Sequence, residues 1–144
     1  MKFIRIASPD TEFKRGNNKI IVEIDGNEIK DIPAFYELLV YNLSFPGYFG
    51  ENLDALYDML LDLQWIKHEA IELVITNFNN FLSDETTEEK ADLLLLLEQV
   101  CQGWRDGDFD DDEWEMKKFR VYVVGEAHVG EEAVSYTHLR AHET

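Results

Sequence analysis

The side chains best spaced for chemistry are three aspartates in and just after the stretch FPGYFGENLDALYDML, residues 45–60. Asp54, Asp58 and Asp62 recur at every fourth position, which places their carboxylates on one face of a helix. Like charges at this spacing destabilise a helix by about 0.2–0.5 kcal/mol per pair, and no Lys or Arg occurs from residue 31 to residue 66. Such a row can pair with the cations of a basic partner. The alternative is a solvated face of an acidic protein.

The loop before this helix places two aromatic residues between two glycines. Gly47 and Gly50 flank Tyr48 and Phe49, and we expect the glycines to allow backbone conformations closed to other residues. In a tight turn, one ring is expected to pack inward and the other to face solvent. An outward Tyr48 would supply flat contact area with a polar tip, as interface anchors do. The alternative is that both rings cover the end of a sheet.

Strands and helices alternate along the chain and must position these residues. The pattern predicts strands at residues 1–6, 20–26, 71–76 and 119–125. Helices are predicted from the N-cap Asp31 through Leu43, from Asn52 to Leu63, and after a capping box formed by Thr86 and Glu89. This order predicts an α/β domain with a small, mainly parallel sheet.

The charge distribution limits the class of partner. The formal net charge is −17; residues 1–20 carry +3, residues 21–134 carry −20, and the last ten residues balance. An acidic body repels nucleic-acid phosphates and anionic membranes and attracts basic proteins. We therefore expect a basic protein partner, no direct nucleic acid and no membrane.

The cysteine count and the apolar runs bear on the compartment. Cys101 is the only cysteine, so no internal disulfide can form, and its spacing from Leu97, Val100 and Trp104 predicts a core position. No run of residues has the length or apolarity of a signal peptide or a membrane span. We expect a soluble cytoplasmic protein.

Other chemistry has weaker support in the sequence. The acidic stretch from Asp106 resembles a calcium loop, but its sixth position is Asp111 instead of Gly and its twelfth is Lys117 instead of Glu. Carboxylates on one helical face are not set across a cleft as acid–base hydrolysis requires. We therefore expect no metal, no cofactor and no enzymatic activity, and we interpret the stretch as a solvated loop or a secondary contact for a basic partner.

The stretch FPGYFGENLDALYDML resembles the signature of the barstar family, small acidic proteins that inhibit secreted guanyl-specific ribonucleases. The close match covers Pro46 and residues 48–58, and looser similarity extends from about residue 20 to residue 125. The resemblance implies a three-stranded parallel sheet packed against helices. It divides the chain into an N-terminal extension (1–19), a barstar-like domain (20–134) and a tail, SYTHLRAHET (135–144), that we interpret as non-native or disordered.

The resemblance also implies which residues contact a ribonuclease. The family's aromatic, helix-opening and acidic contact positions correspond to Tyr48, Asn52, Leu53, Asp54, Tyr57 and Asp58. Tyr57 replaces the family's Trp, and Asp62 replaces a small Gly contact one turn later. A late-helix Glu of the family could correspond to Glu98, Gln99 or Gln102.

Together these observations predict a monomeric inhibitor that neutralises a ribonuclease made by the same cell, as in toxin immunity. It would block RNA access by covering the enzyme's basic active site. The alternative is an acidic interaction module of the same fold that binds a different basic protein.

Overall fold

A parallel β-sheet forms the centre of the molecule. The computed structural model describes residues 2–47, 49–107, 115–125, 129–130 and 132–136. Within these residues the sheet has four strands, all parallel, in the order β1-β4-β3-β2. Their bounds are β1 Arg5–Ala7, β2 Lys19–Asp25, β3 Ala70–Thr76 and β4 Lys118–Val124. The predicted α/β class with a parallel sheet is confirmed.

In the described part of the chain, three helices lie between the strands, and each begins with a side-chain cap. They are α1 Ile32–Leu43, α2 Leu53–Asp62 and α3 Thr87–Asp106. Asp31 accepts a hydrogen bond from the amide of Ala34 at 2.8 Å, and Thr86 and Glu89 form the predicted capping box. In the part of the chain described, no helix is long and apolar enough to cross a membrane.

The core lies between the sheet and the helices. The central strand β3 is buried from Ile71 to Ile75, as expected for a strand with a neighbour on each side and helices packed against the sheet. Its register with the neighbouring strands aligns apolar residues across the sheet. One such row consists of Val22, Leu73 and Val121, and each of these side chains has no exposed surface.

The fourth strand, β1, comes from the N-terminal extension, whereas the family resemblance implied three strands. Arg5 to Ala7 pair with Tyr122 to Val124 at the open edge of β4. The segment before β1 is anchored by the buried carboxylate of Glu98 on α3, which accepts backbone hydrogen bonds from Lys2 (2.5 Å), Phe3 (2.6 Å) and Ile4 (2.7 Å). Residues 2–7 are thus packed against the domain.

Part of the C-terminal region is helical. Residues 129–130 and 132–136 have helical backbone, and the ring of Tyr136 packs against Phe78 with 6.0 Å between centroids. Ser135 and Tyr136 belong to the segment 135–144, which the sequence predicts to be a non-native or disordered tail. Its other residues, 137–144, lie outside the described residues, as do residues 108–114 of the acidic insert.

Candidate protein-docking site

The helix α2 has one buried face and one exposed face. Leu56, Met59 and Leu60 are buried in the core, which fixes the orientation of the helix. Asp54 and Asp58 are exposed on the other side. Because they are four residues apart, they are separated by about 6 Å along the helix axis. The structure thus brings these two carboxylates together on a rigid, solvent-facing surface.

Two apolar side chains flank these carboxylates. Leu53 and Tyr57 are partly buried and pack against the edge of the core. Each therefore has a fixed position and retains exposed surface. Because fewer rotamers must be frozen when such side chains bind, they are suited to supply contact area around the carboxylates.

Asn52 is the N-cap of α2. Its side-chain oxygen accepts a hydrogen bond from the amide of Ala55 at 2.8 Å, and its side-chain nitrogen donates to the carbonyl of Gly50 at 3.3 Å. These bonds join the loop to the first turn of the helix. Asn52 therefore has a structural role in addition to the contact role that the family resemblance implies.

The backbone of the loop before α2 turns at Glu51. Glu51 has a φ of 49°, in the left-handed region, whereas neither Gly47 nor Gly50 has a positive φ. The expectation that these glycines use conformations closed to other residues is therefore wrong. A side chain would meet nothing within 4 Å at Gly47 and only ordinary contacts at Gly50. The sharp turn falls one residue later, directly before the helix N-cap.

Phe49 packs inward against other aromatic rings. Its centroid lies 5.3 Å from that of Tyr36 and 5.1 Å from that of Phe45, both in edge-to-face geometry. Phe45 packs in turn against Trp65, whose indole nitrogen donates to the carbonyl of Leu43 at 2.8 Å. This aromatic cluster ties the loop to α1 and to the segment after α2. Tyr48, the predicted anchor, lies outside the described residues.

The environment of Tyr36 reflects the acidity of this region. Burial raises the pKa of the Tyr36 hydroxyl, and the negative charges of Glu51 and Glu85 raise it further. The phenol therefore stays neutral at physiological pH. The aromatic support of the loop thus adds no further charge beside the acidic helix.

Asp62 has different surroundings from Asp54 and Asp58. It is only partly exposed, and its carboxylate accepts a hydrogen bond from the amide of Gln64 at 3.2 Å. The side chain of Gln64 bonds to both backbone groups of Glu115, at 3.0 and 2.9 Å. Asp62 therefore lies where the acidic insert rejoins the domain, at the end of the row.

The carboxylate of Glu98 makes hydrogen bonds inside the domain. It is therefore unsuited to be the late-helix contact with a ribonuclease. Its carboxylate is 9% exposed and accepts the three N-terminal amides described above, while Gln99 and Gln102 are exposed. The sequence carried a signal for this difference. Glu98 lies four residues after Leu94 and three before Cys101, both buried, so helical periodicity places it on the core face.

Cys101 is buried, as its spacing predicted, and burial raises the pKa of its thiol to about 12. It is therefore an unreactive core residue. Among the residues that the structure describes, no group of three His, Cys, Asp or Glu side chains is arranged to hold a metal ion.

The fold and the site together define a class: a parallel α/β domain that presents an acidic helix on a rigid support. The chain belongs to the barstar family, whose model, described as "Barstar (barnase inhibitor)", matches residues 20–124. A similar protein is the "Putative ribonuclease inhibitor YrdF" of Bacillus subtilis (strain 168). It is 40% identical over 86 residues, which cover 58% of this chain and 87% of that protein.

Proposed function

We propose that this protein is a stoichiometric inhibitor of a ribonuclease and that it inserts α2 into the enzyme's basic active site. Membership of the barstar family and the similarity to a protein named as a ribonuclease inhibitor support the inhibitory role. The surface of α2 supports the mode of binding. A non-catalytic role follows, because occlusion requires no chemistry from the inhibitor.

The observation that carries the proposal is the pair of exposed, uncompensated carboxylates on α2. Among the described residues, neither Asp54 nor Asp58 forms an ion pair, and both project from a helix whose opposite face is locked in the core. An arrangement that costs stability in the free protein is explained if a cationic site receives it. Family membership makes a ribonuclease site the strongest candidate.

The chemistry of such a complex follows from the enzyme's task. A ribonuclease site holds Lys, Arg and His side chains that bind phosphates and stabilise developing negative charge. In the proposed complex, Asp54 and Asp58 occupy the positions of these phosphates and accept charge-assisted hydrogen bonds. Leu53, Tyr57 and Tyr48 pack around them and exclude water, and Asn52 holds the helix start in place. Asp62 extends the contact toward the end of the helix.

A direct test is an RNA-cleavage assay in which secreted guanyl-specific ribonucleases are titrated with the inhibitor. The wild type is expected to abolish cleavage at a one-to-one ratio. Asp58→Asn removes one charge with little change of shape, and we expect at least a hundredfold weaker inhibition, since a desolvated charge pair is lost. Asp84→Asn is the matched control, because Asp84 is an exposed acid outside α2.

Two results would contradict the proposal in different ways. If no ribonuclease is inhibited but a different basic protein binds in an Asp58-dependent manner, the chain is an interaction module of the same fold. If inhibition occurs and Asp84→Asn weakens it as much as Asp58→Asn, the docking face has been assigned wrongly.

A further inference from the structure

A second charged feature lies away from the exposed face of α2 and has the opposite sign. A cavity of about 340 Å³ opens beside β4 and the C-terminal end of α3. The chain has 13 Lys and Arg residues against 30 Asp and Glu, yet no acidic side chain is found among the described residues that line this cavity. Its cationic lining residues are Arg5, Arg105, Lys117, Lys118 and Arg120.

The cavity exists because β1 covers only part of β4. The two strands pair from Tyr122 to Val124, so the first half of β4 has no strand beside it at this edge. Glu98 holds the amides of residues 2–4 against α3 and thereby draws the chain away from β4. Phe3 forms part of the wall of the resulting gap.

The arginines of this cavity have no internal counterion in the described part of the chain. Arg5, Arg105 and Arg120 form no ion pair there, and Lys118 makes only a 3.8 Å contact with Glu69 between exposed side chains. The guanidinium of Arg105 lies over the ring of Phe3, 5.3 Å from its centroid, in a cation–π contact. Among the described residues, these cationic side chains thus line one cavity, and only the exposed Lys118–Glu69 contact offsets their charge.

Lys117 contributes positive charge without being free to rearrange. Its ammonium donates to the carbonyls of Ile66 at 2.5 Å and His68 at 2.8 Å, and burial lowers its pKa while the charge of Glu115 opposes this. Direct contacts to a ligand therefore fall to the three arginines and Lys118. Cys101 also lines the cavity, but its raised pKa keeps the thiol neutral, so it adds no repelling charge.

We propose that this cavity binds a small anion that carries two linked phosphate groups. Planar guanidinium groups match phosphate oxygens in bidentate geometry, and several of them favour a multiply charged ligand. The size of the ligand is limited by the screening of charges in salt solution. At physiological ionic strength the Debye length is about 8 Å, so an anion inside the cavity is governed by the local cations. A long polyanion extends beyond the cavity and is repelled by a protein whose net charge is −17.

Inorganic pyrophosphate is the probe for this site, used with the whole 144-residue chain in isothermal titration calorimetry at about 0.15 M ionic strength. We expect one saturable site. The double variant Arg5→Gln/Arg120→Gln should bind at least about tenfold more weakly, because two charge-assisted contacts are lost. Both side chains are exposed, so the variant is expected to fold. Arg15→Gln is the matched control, since Arg15 is an exposed arginine that does not line the cavity.

The proposal is overturned if pyrophosphate shows no saturable binding, or if Arg15→Gln weakens binding as much as the double variant. It is also overturned if a single-stranded RNA oligomer binds as tightly as pyrophosphate, since the site would then favour a polyanion. Asp58→Asn should leave pyrophosphate affinity unchanged. A lack of pyrophosphate binding can therefore be distinguished from a lack of ribonuclease inhibition.

Discussion

The carboxylate of Asp58 lies exposed in the middle of α2, where neither a described cation nor the helix terminus stabilises it. Asp58→Ala should therefore stabilise the free domain, by about 0.2–0.5 kcal/mol for each like-charge pair removed. The same change should weaken the proposed ribonuclease complex by about 2–5 kcal/mol. Urea unfolding and calorimetric titration measure the two effects separately. A variant that loses stability and affinity together would show that Asp58 supports the fold instead.

Glu98 is a buried carboxylate whose function is to hold the N-terminus. Glu98→Ala leaves three backbone amides without their acceptor, so we expect a loss of about 3 kcal/mol or more in the free energy of unfolding. Hydrogen exchange should also show faster exchange of the β1 amides. Gln99→Ala, at the exposed neighbouring position, is the control and should change stability little. Equal effects of the two changes would refute the anchoring role.

Lys90 makes stability depend on pH. Burial lowers the pKa of its ammonium to about 8, although it donates to the carbonyl of Phe78 at 2.9 Å and lies over the rings of Phe78 and Tyr136. Because the folded pKa is below the unfolded value, the unfolded chain binds more protons between about pH 8 and pH 10.5. The contribution of Lys90 to stability therefore rises with pH in this window.

Comparison with Lys90→Met isolates this contribution. From pH 7 to pH 9.5, the free energy of unfolding of the wild type should rise relative to that of Lys90→Met, by about 1–3 kcal/mol. Urea unfolding at several pH values measures the difference, and subtraction cancels the titration of other groups such as Cys101. A constant difference would mean that Lys90 has an ordinary pKa in the folded protein.

At the scale of the element, α2 is positioned from both ends. Asn52 caps its start, and the indole nitrogen of Trp104 on α3 donates to the carbonyl of Leu60 at 2.7 Å near its end. Gly103 brings α3 close to α2, since a methyl group there would lie 2.8 Å from the side chain of Leu61. The acidic face is therefore held by a rigid element, as the precise pairing of charges requires.

The cap offers a test of this rigidity. Asn52→Ala should lower the free energy of unfolding by about 1 kcal/mol, and Asn52→Asp should restore the cap because aspartate also accepts the amide of Ala55. If Asn52 acts only by holding the helix, Asn52→Asp also restores affinity in a calorimetric titration with the ribonuclease. If the aspartate variant is stable but binds weakly, the amide of Asn52 contacts the partner directly.

Local features of these elements could be predicted from the sequence because they depend on neighbouring residues. The caps at Asp31 and Thr86 and the buried face of α2 are examples. The hydrogen bond that the amide of Ile4 donates to Glu98 spans 94 residues, and the pairing of β1 with β4 spans more than one hundred. Spacing along the chain carries little information about such contacts. The positive φ of Glu51 could not be predicted from the sequence, because the neighbouring glycines are the residues that ordinarily adopt this conformation.

At the scale of the whole molecule, the described residues include two separate charged features of opposite sign. The acidic surface of α2 belongs to a chain of net charge −17, and the cationic cavity lies beside β4, on the edge that β1 leaves open. The first region can act at long range because most of the protein's charge has the same sign. The cationic side chains of the cavity attract anions only at short range, where their positive charge outweighs the negative charge of the rest of the protein.

This separation predicts a strong effect of salt on the rate of ribonuclease binding. The Debye length falls from about 30 Å at 0.01 M to about 8 Å at 0.15 M ionic strength. The association rate, measured by stopped-flow fluorescence, should therefore fall by about tenfold or more, with a much smaller change in the dissociation rate. The double variant Asp54→Asn/Asp58→Asn should show a clearly weaker salt dependence, whereas Asp84→Asn should follow the wild type. If both variants show the wild-type slope, steering comes from the net charge of the protein and α2 is not the face that meets the partner first.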